Sequence, residues 1–248
     1  MSGGGAEVLT TRALMRLADR SMPGMERVNF RDWILRSALG CTGRANSTLA
    51  NGDPGLGIEE AIRAVESWYR ERGRGAIFQI FESADDLGPV LSAQGYAASE
   101  PTVVMCAPLE SVRTGEAERA VVHCDIPPGL HSLVGDPDRV NEITTTTLDK
   151  LVAVVSGDDG CALGCGMAVI DGTAAGIFAM RTATDAQGQG VGTIVLAALV
   201  TNAREQGVRD LWLQVEHSNI RAREWYERIG FLEVDAYRYW HPSVSSLR

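Results

Sequence analysis

The sequence predicts a mixed α/β fold in which amphipathic helices alternate with short strands. Three observations predict it. Helical periodicity is clearest over Ile58–Arg70, where Ile58, Ile62, Val65 and Trp68 form an apolar face and Glu59, Glu60, Arg63 and Glu66 a polar one. Runs of β-branched and aromatic residues separate such helices. Two breaks, "GDDG" and "DGT", cut residues 152–184 into three strands in the manner of hairpin turns. At 248 residues, 45% hydrophobic and 22% charged, the chain has a globular composition and length for one large domain or two smaller ones.

In chain order, residues 8–20 set Val8, Leu14, Leu17 and Ala18 at helical spacing, and "SMPG" stops that helix. "DWILRSALG" and "RANSTLAN" read as strand-like pieces joined by "CTG", and "GDPGLG" as a loop. After the helix at 58–70, "AIFQIF" reads as a strand, "ADDLGPVLSAQG" as a helix closed by Gly95, and "TVVMCAP" as a strand. The polar, aperiodic "LESVRTGEAER" is the expected linker, dividing the chain into domains 1–112 and 113–248. Beyond it come the strand "AVVHCDI", helical or irregular segments in "GLHSLVG" and "DPDRVNEITTTTLDKL", and the three hairpin-broken strands. A Gly-rich loop, a long helix at 193–206 capped by Gly207, the strand "DLWLQVE", the helix "NIRAREWYERIG" and a final strand pair complete the order. It is not read as a βαβ repeat.

The net charge of −9 argues against a general nucleic-acid binder and leaves cationic small molecules or basic peptides as the more natural partners. Cys41, Cys106, Cys124, Cys161 and Cys165 form no CxxC pair, and an odd count does not suit a disulfide framework, so reduced, buried thiols are expected. His123, His131, His217 and His241 lack zinc spacing, and no metal is expected. The segment "MSGGGAEVLT" lacks the pattern of a secretory signal, and no apolar run reaches the roughly 18 to 20 residues of a membrane span. The expectation is a cytoplasmic protein with no membrane or nucleic-acid partner.

The chemistry concentrates in "DAQGQGVG", where Gly188, Gly190 and Gly192 join a strand to a helix. Glycines there serve a tight turn, or they bare a backbone whose free N–H groups, with the helix dipole, bind an anion such as pyrophosphate. The spacing G-x-G-x-G is not the dinucleotide fingerprint G-x-G-x-x-G. Gln187, Gly190 and Gly192 fit the pattern Gln/Arg-x-x-Gly-x-Gly/Ala, which resembles the acyl-CoA pyrophosphate loop of the GNAT superfamily of N-acetyltransferases. "HSNIRAREWYERIGF" resembles a later motif of that superfamily, with Asn219, Ala222, Tyr226 and Gly230-Phe231 at its spacing. The resemblance covers about residues 118–240. "GRANS" and the Trp-rich first half resemble an actinobacterial branch with a degenerate acetyltransferase-like domain before the active one. The helix, strand, helix and Gly95-Tyr96 of the first half echo the second half and its Gly230-Phe231, without the pyrophosphate pattern.

The resemblance implies a GNAT acyl-CoA N-acyltransferase fold, as two tandem copies with the first degenerate, and acetyl-CoA as cosubstrate. It assigns cofactor contacts to Met180, Arg181 and Thr182, to Gln187, Gly188, Gln189, Gly190, Val191, Gly192 and Thr193, and to Asn219 and Ala222. It makes Tyr226 the acid that protonates the departing thiolate; a phenol of pKa about 10 can serve a thiol of about 8 to 9. The acceptor, a primary amine of a small molecule or peptide, must lose a proton, and Glu216 is the first candidate base, with His217 next. Glu216 as a solvated strand end and Tyr226 as a packing residue remain the alternatives. Arg221 and Arg223 could meet CoA phosphates or stay solvated. Gly190→Val is expected to abolish CoA binding with the fold intact. A non-catalytic acyl-CoA-binding or regulatory module is the rival function; a nucleotide-binding protein is disfavoured by the missing Walker lysine and βαβ unit. The sequence leaves monomer and homodimer open.

Overall fold

The computed structural model describes residues 9–84 and 86–243, and its twelve strands form one sheet. The first half supplies α1 (Thr11–Ser21), β1 (Glu26–Phe30), β2 (Trp33–Ser37), β3 (Thr48–Leu49), α2 (Ile58–Arg70), β4 (Phe78–Phe81), α3 (Gly88–Ala93), β5 (Tyr96–Ala98) and β6 (Thr102–Pro108). The second supplies β7 (Ala120–His123), α4 (Pro128–Val134), α5 (Pro137–Ile143), β8 (Asp149–Ser156), β9 (Ala162–Asp171), β10 (Ala174–Thr182), α6 (Val191–Glu205), β11 (Asp210–Glu216), α7 (Ile220–Ile229) and β12 (Leu232–Pro242).

The strand order is β1-β2-β3-β4-β12-β6-β11-β10-β9-β8-β7, with β5 added on β12. Only β3 with β4 and β10 with β11 run parallel. A helix bridges each parallel pair, α2 the first and α6 the second, so the chain contains two βαβ crossovers. This corrects the sequence reading, in which the hairpin run before β10 hid the parallel partner that α6 delivers. At the centre the halves exchange strands: β12 lies beside β4, and β6 lies beside β11. Outward from the β12/β6 pair, the same pattern is met on both sides, a parallel pair followed by antiparallel neighbours.

Several elements differ from expectation. The expected final strand pair is one strand, β12, with a register shift between Glu233 and Asp235; its first part pairs with β6 and its later part with β4 and β5. "RANSTLAN" yields only Thr48–Leu49, while β1 and β5 are strands the sequence reading did not resolve. In α1 the Thr10 hydroxyl accepts from the Ala13 N–H and starts the helix; Val8 lies outside the described residues. "ADDLGPVLSAQG" starts on the last residue of a 3-10 turn, Glu82–Ala84, and becomes helical only at Gly88, with Asp85 outside the described residues.

Alternate side chains of β11 bury on opposite faces of the sheet. Leu211, Leu213 and Val215 pack with Val195 and Leu199 of α6 and with Ile229 of α7. Trp212 faces the other way, into a cluster with Leu14 of α1, Leu130 of α4 and Val140 and Ile143 of α5. A third cluster joins Ile62, Val65 and Tyr69 of α2 to Trp33 and Phe78. Among the described residues no helix is long and apolar enough to cross a membrane.

Candidate active site

The site begins where two parallel strands part. The β10/β11 ladder runs from Ala174↔Asp210 to Ile177↔Leu213 and stops. There β10 bulges between Phe178 and Arg181, with Ala179 at φ 51°, a left-handed conformation that a residue with a Cβ adopts only at some cost. The strand rejoins β9 at Arg181↔Cys165 and Thr182↔Gly164. Arg181 and Thr182 therefore pair on one side only, Met180 lies in the bulge, and the other edge of all three borders a gap.

The Gly loop stands at the end of this gap. Gly188 and Gly190 take φ 80° and 79°, and Gly190 caps α6. Its carbonyl accepts from Thr193 and Ile194 at 2.9 and 3.1 Å, while the N–H groups of residues 188–192 find no acceptor among the described residues. Gln189 closes the loop by donating to the Asp185 carbonyl at 2.8 Å. The first turn of α6 carries no acidic residue. These donors and the helix dipole form an anion cradle. The expectation for Gly190→Val needs correction, because a β-branched residue at φ 79° strains the backbone as well as filling the loop. Gly192 has no such constraint: a Cβ there meets Thr182 Oγ1 at 3.7 Å and Trp225 at 4.0 Å, ordinary contacts.

A cavity of about 1030 Å³ joins loop and gap, and every residue that the sequence reading assigned to the site lines it except Gln189. Asn219 is the cap of α7, its Oδ1 accepting from the Ala222 N–H at 3.2 Å. Tyr226 is buried, with its ring edge-on to Phe231 and tilted against Trp225, and its hydroxyl bonds to no other described residue. Burial pushes its pKa well above the usual phenol value, opposed by the charge of Arg181. Glu216, exposed at the end of β11, reaches the cavity, whereas His217 does not line it. Arg221 lines it too, but Arg223 is paired with Glu233 at 2.6 Å and donates to the His217 carbonyl at 3.0 Å.

The opposite wall was not legible from sequence. Residues 41–44 of the first half enter the cavity, together with Arg139 and Ile143 of α5 and Tyr237 and Tyr239 of β12. Glu142, fully buried, holds this loop: its Oε1 accepts from the N–H groups of Gly40 and Cys41 and from Asn46 Nδ2. Gly43 lies against the Tyr239 ring so closely that a Cβ would collide with it. Arg44 donates to Gln214 Oε1 at 3.1 Å and stands over the Phe178 ring. Only the "GRANS" segment hinted at this, without a role attached.

Burial disfavours the thiolate at the inner cysteines. Burial pushes Cys165 up to about 11 and Cys106 up to about 12. Cys161, expected buried, is exposed in the hairpin turn before β9, where its hydrogen bond with Asp159 raises its pKa. Among the described residues no group of three His, Cys, Asp or Glu could hold a metal ion.

Comparison with known proteins agrees with this geometry. The family described as "Probable histone acetyltransferase Rv0428c C-terminal" matches residues 10–240. An "Uncharacterized N-acetyltransferase YobR" of Bacillus subtilis is 26% identical over 243 residues, covering 92% of this chain and 97% of that protein. The "[Ribosomal protein bS18]-alanine N-acetyltransferase" of Haemophilus influenzae is 45% identical over 62 residues; the match covers 25% of this chain and 42% of that relative's length. The solved structure of a "GCN5-related N-acetyltransferase from Kribbella flavida" superposes with a TM-score of 0.72 at 12% identity, covering 95% of this chain and 97% of that one, a likeness of fold.

Proposed function

Because the chain belongs to the Rv0428c C-terminal family of the GNAT superfamily, and so is a GNAT N-acetyltransferase with an acyl-CoA-binding fold, we propose that it moves an acetyl group from acetyl-CoA directly to a primary amine of a small molecule or peptide. The observation that carries this reading is one cavity shared by the unpaired N–H groups of residues 188–192, the parted strands and Tyr226. The N–H groups would hold the pyrophosphate, with Arg221 beside them. The free edge at Met180–Thr182 would hydrogen-bond the pantetheine as a neighbouring strand does. The thioester would then lie near the bulge at Phe178–Arg181.

The amine nitrogen attacks the thioester carbon, the C–S bond breaks, and the proton lost by nitrogen passes through water towards Glu216. The Tyr226 hydroxyl donates a hydrogen bond to the departing sulfur and its proton as the thiol forms. Its raised pKa keeps it neutral at physiological pH and makes complete transfer harder than for a free phenol, so the hydrogen bond is the larger contribution. The descriptions of relatives name a histone and an alanine of ribosomal protein bS18 as the acceptors of those proteins.

We further propose that residues 1–112 form a degenerate copy of residues 113–248; the two crossovers flanking the central strand pair support this. Its role would be to cover the acceptor side through residues 41–44. The experiment is thiol release from acetyl-CoA with an amine panel, beside calorimetry with CoA. Tyr226→Phe should keep CoA affinity within about twofold and lower kcat by about 10²-fold, the usual scale for a general acid. Binding without turnover of any amine would favour the regulatory module instead.

A further inference from the structure

The charges lining the cavity contrast with those of the whole chain. Five arginines (Arg44, Arg139, Arg181, Arg221 and Arg228) and one carboxylate, Glu216, line it in a protein of net charge −9. Arg181, Arg221 and Arg228 belong to β10 and α7, the elements that bear the gap and the expected cofactor contacts. Arg44 and Arg139 belong to the other wall. Arg44 stands over Phe178, which packs edge-on to Trp212 on the face shared with α1, α4 and α5, and Arg139 lies on α5 itself.

These two cations have no anionic partner among the described residues. Arg44 bonds to the neutral amide of Gln214, and Arg139 takes part in no ion pair. Gln214 holds Arg44 in place, its Oε1 accepting from Arg44 at 3.1 Å and from the Tyr237 hydroxyl at 3.4 Å. A half-buried guanidinium without a counter-ion is costly, and an anionic oxygen entering the cavity answers that cost.

We propose that the acceptor amine also carries an anionic oxyacid group, a carboxylate or a phosphate, which docks against Arg44 and Arg139 where they line the cavity. This rests on the acetyltransferase reading and narrows its acceptor class. The same cations disfavour the ammonium form of the acceptor, so they help to expose the lone pair that attacks the thioester. Polyamines and lysine side chains in basic tails, which the chain's net charge and its family's description would favour, lack the group that this wall is built to receive.

The test uses matched amines with the full chain: lysine against cadaverine, phenylalanine against phenethylamine, and phosphoethanolamine against ethanolamine. Thiol release should show KM at least tenfold lower for the anionic member of one or more pairs, and the pair that responds identifies carboxylate or phosphate. Arg44→Gln should raise that KM about tenfold or more with a smaller change in kcat, Arg44→Lys should recover part of it, and Arg139→Gln should act in the same direction. CoA affinity, measured by calorimetry in each variant, should stay within about twofold. Equal KM values within every pair, or an Arg44→Gln variant with unchanged KM, would overturn the proposal. CoA binding without turnover of any amine would overturn the acetyltransferase reading and this inference with it.

Discussion

The two βαβ crossovers are built alike and equipped differently. In β10-α6-β11 the loop before the helix leaves the N–H groups of residues 188–192 free, and the helix opens with no acid. In β3-α2-β4 two donors ahead of the helix are answered by carboxylates, the Asp53 N–H by Asp32 and the Gly55 N–H by Asp53, while Gly57 gives the helix itself no side-chain cap. Glu59 and Glu60 then occupy the first turn of α2. The Gly55 hydrogen bond, with help from Arg31, holds the Asp53 carboxyl below the usual range, so the loop is anionic at any physiological pH. One helix start leaves its donors open to an anion, and the other already carries negative charge.

The parallel strands differ in the same sense. Beside β3 and β4, buried Arg36 bonds to the Ser47 carbonyl, the Ser47 hydroxyl and Gln79, with Asp19 at 3.9 Å. A buried polar network thus fills the space beside the parallel pair of the first half. The difference shows that the crossover supplies a frame, while ligand binding depends on leaving donors and space unfilled.

The strongest way to break the comparison is to give the second loop the character of the first. Gly192→Asp places a carboxylate at the start of α6, where it suits the helix dipole and the available space. CoA affinity should fall about 10³-fold, ~4 kcal/mol, by calorimetry, with the melting temperature unchanged or raised. Unchanged affinity would return the loop to a simple turn. Next in size is the buried network: Asp19→Ala leaves Arg36 buried without its counter-charge and should cost about 3 kcal/mol in urea unfolding. If stability barely changes, the first half is held by its apolar cluster alone.

The smallest effect concerns pH and both halves together. Burial raises the pKa of Tyr69 and Tyr96 in the first half and of Tyr226 and Tyr239 in the second. Each contributes stability that is complete below the unfolded tyrosine value of about 10 and is lost above it, because the unfolded chain releases phenolic protons first. The melting temperature should therefore hold to about pH 9 and drop by a few degrees as pH rises beyond 10. A flat profile would mean that these phenols ionise as readily in the fold as outside it.

Local patterns carried much of this into the sequence. The helix at Ile58–Arg70, the run "TVVMCAP" and the turn in "DAQGQGVG" are set by neighbours in the chain, and all three elements appear in the structure; the buried face of the helix is shifted, with Ile62 and Val65 buried as read but Ala61 and Tyr69 beside them in place of exposed Ile58 and half-buried Trp68. Pairing between distant segments left weaker marks. Nothing local tells β10 that its neighbour is the parallel β11, or β12 that it lies between β4 and β6. The acceptor wall failed for the same reason, since Arg44 meets Gln214 across 170 positions. Glu142, on a segment read only as helical or irregular, gains its meaning from a loop about a hundred residues earlier.

The exchange of β6 and β12 also bears on how the protein is made. When β6 emerges from the ribosome, both of its neighbours, β11 and β12, are still unsynthesised. At common elongation rates the wait is on the order of ten seconds. During that interval the nascent chain exposes strand edges of the kind that recruit other chains. The last of the described strands to be made, β12, thus enters the middle of the sheet, and a protein cut between residues 112 and 113 would give two fragments, each holding a strand that pairs in the other.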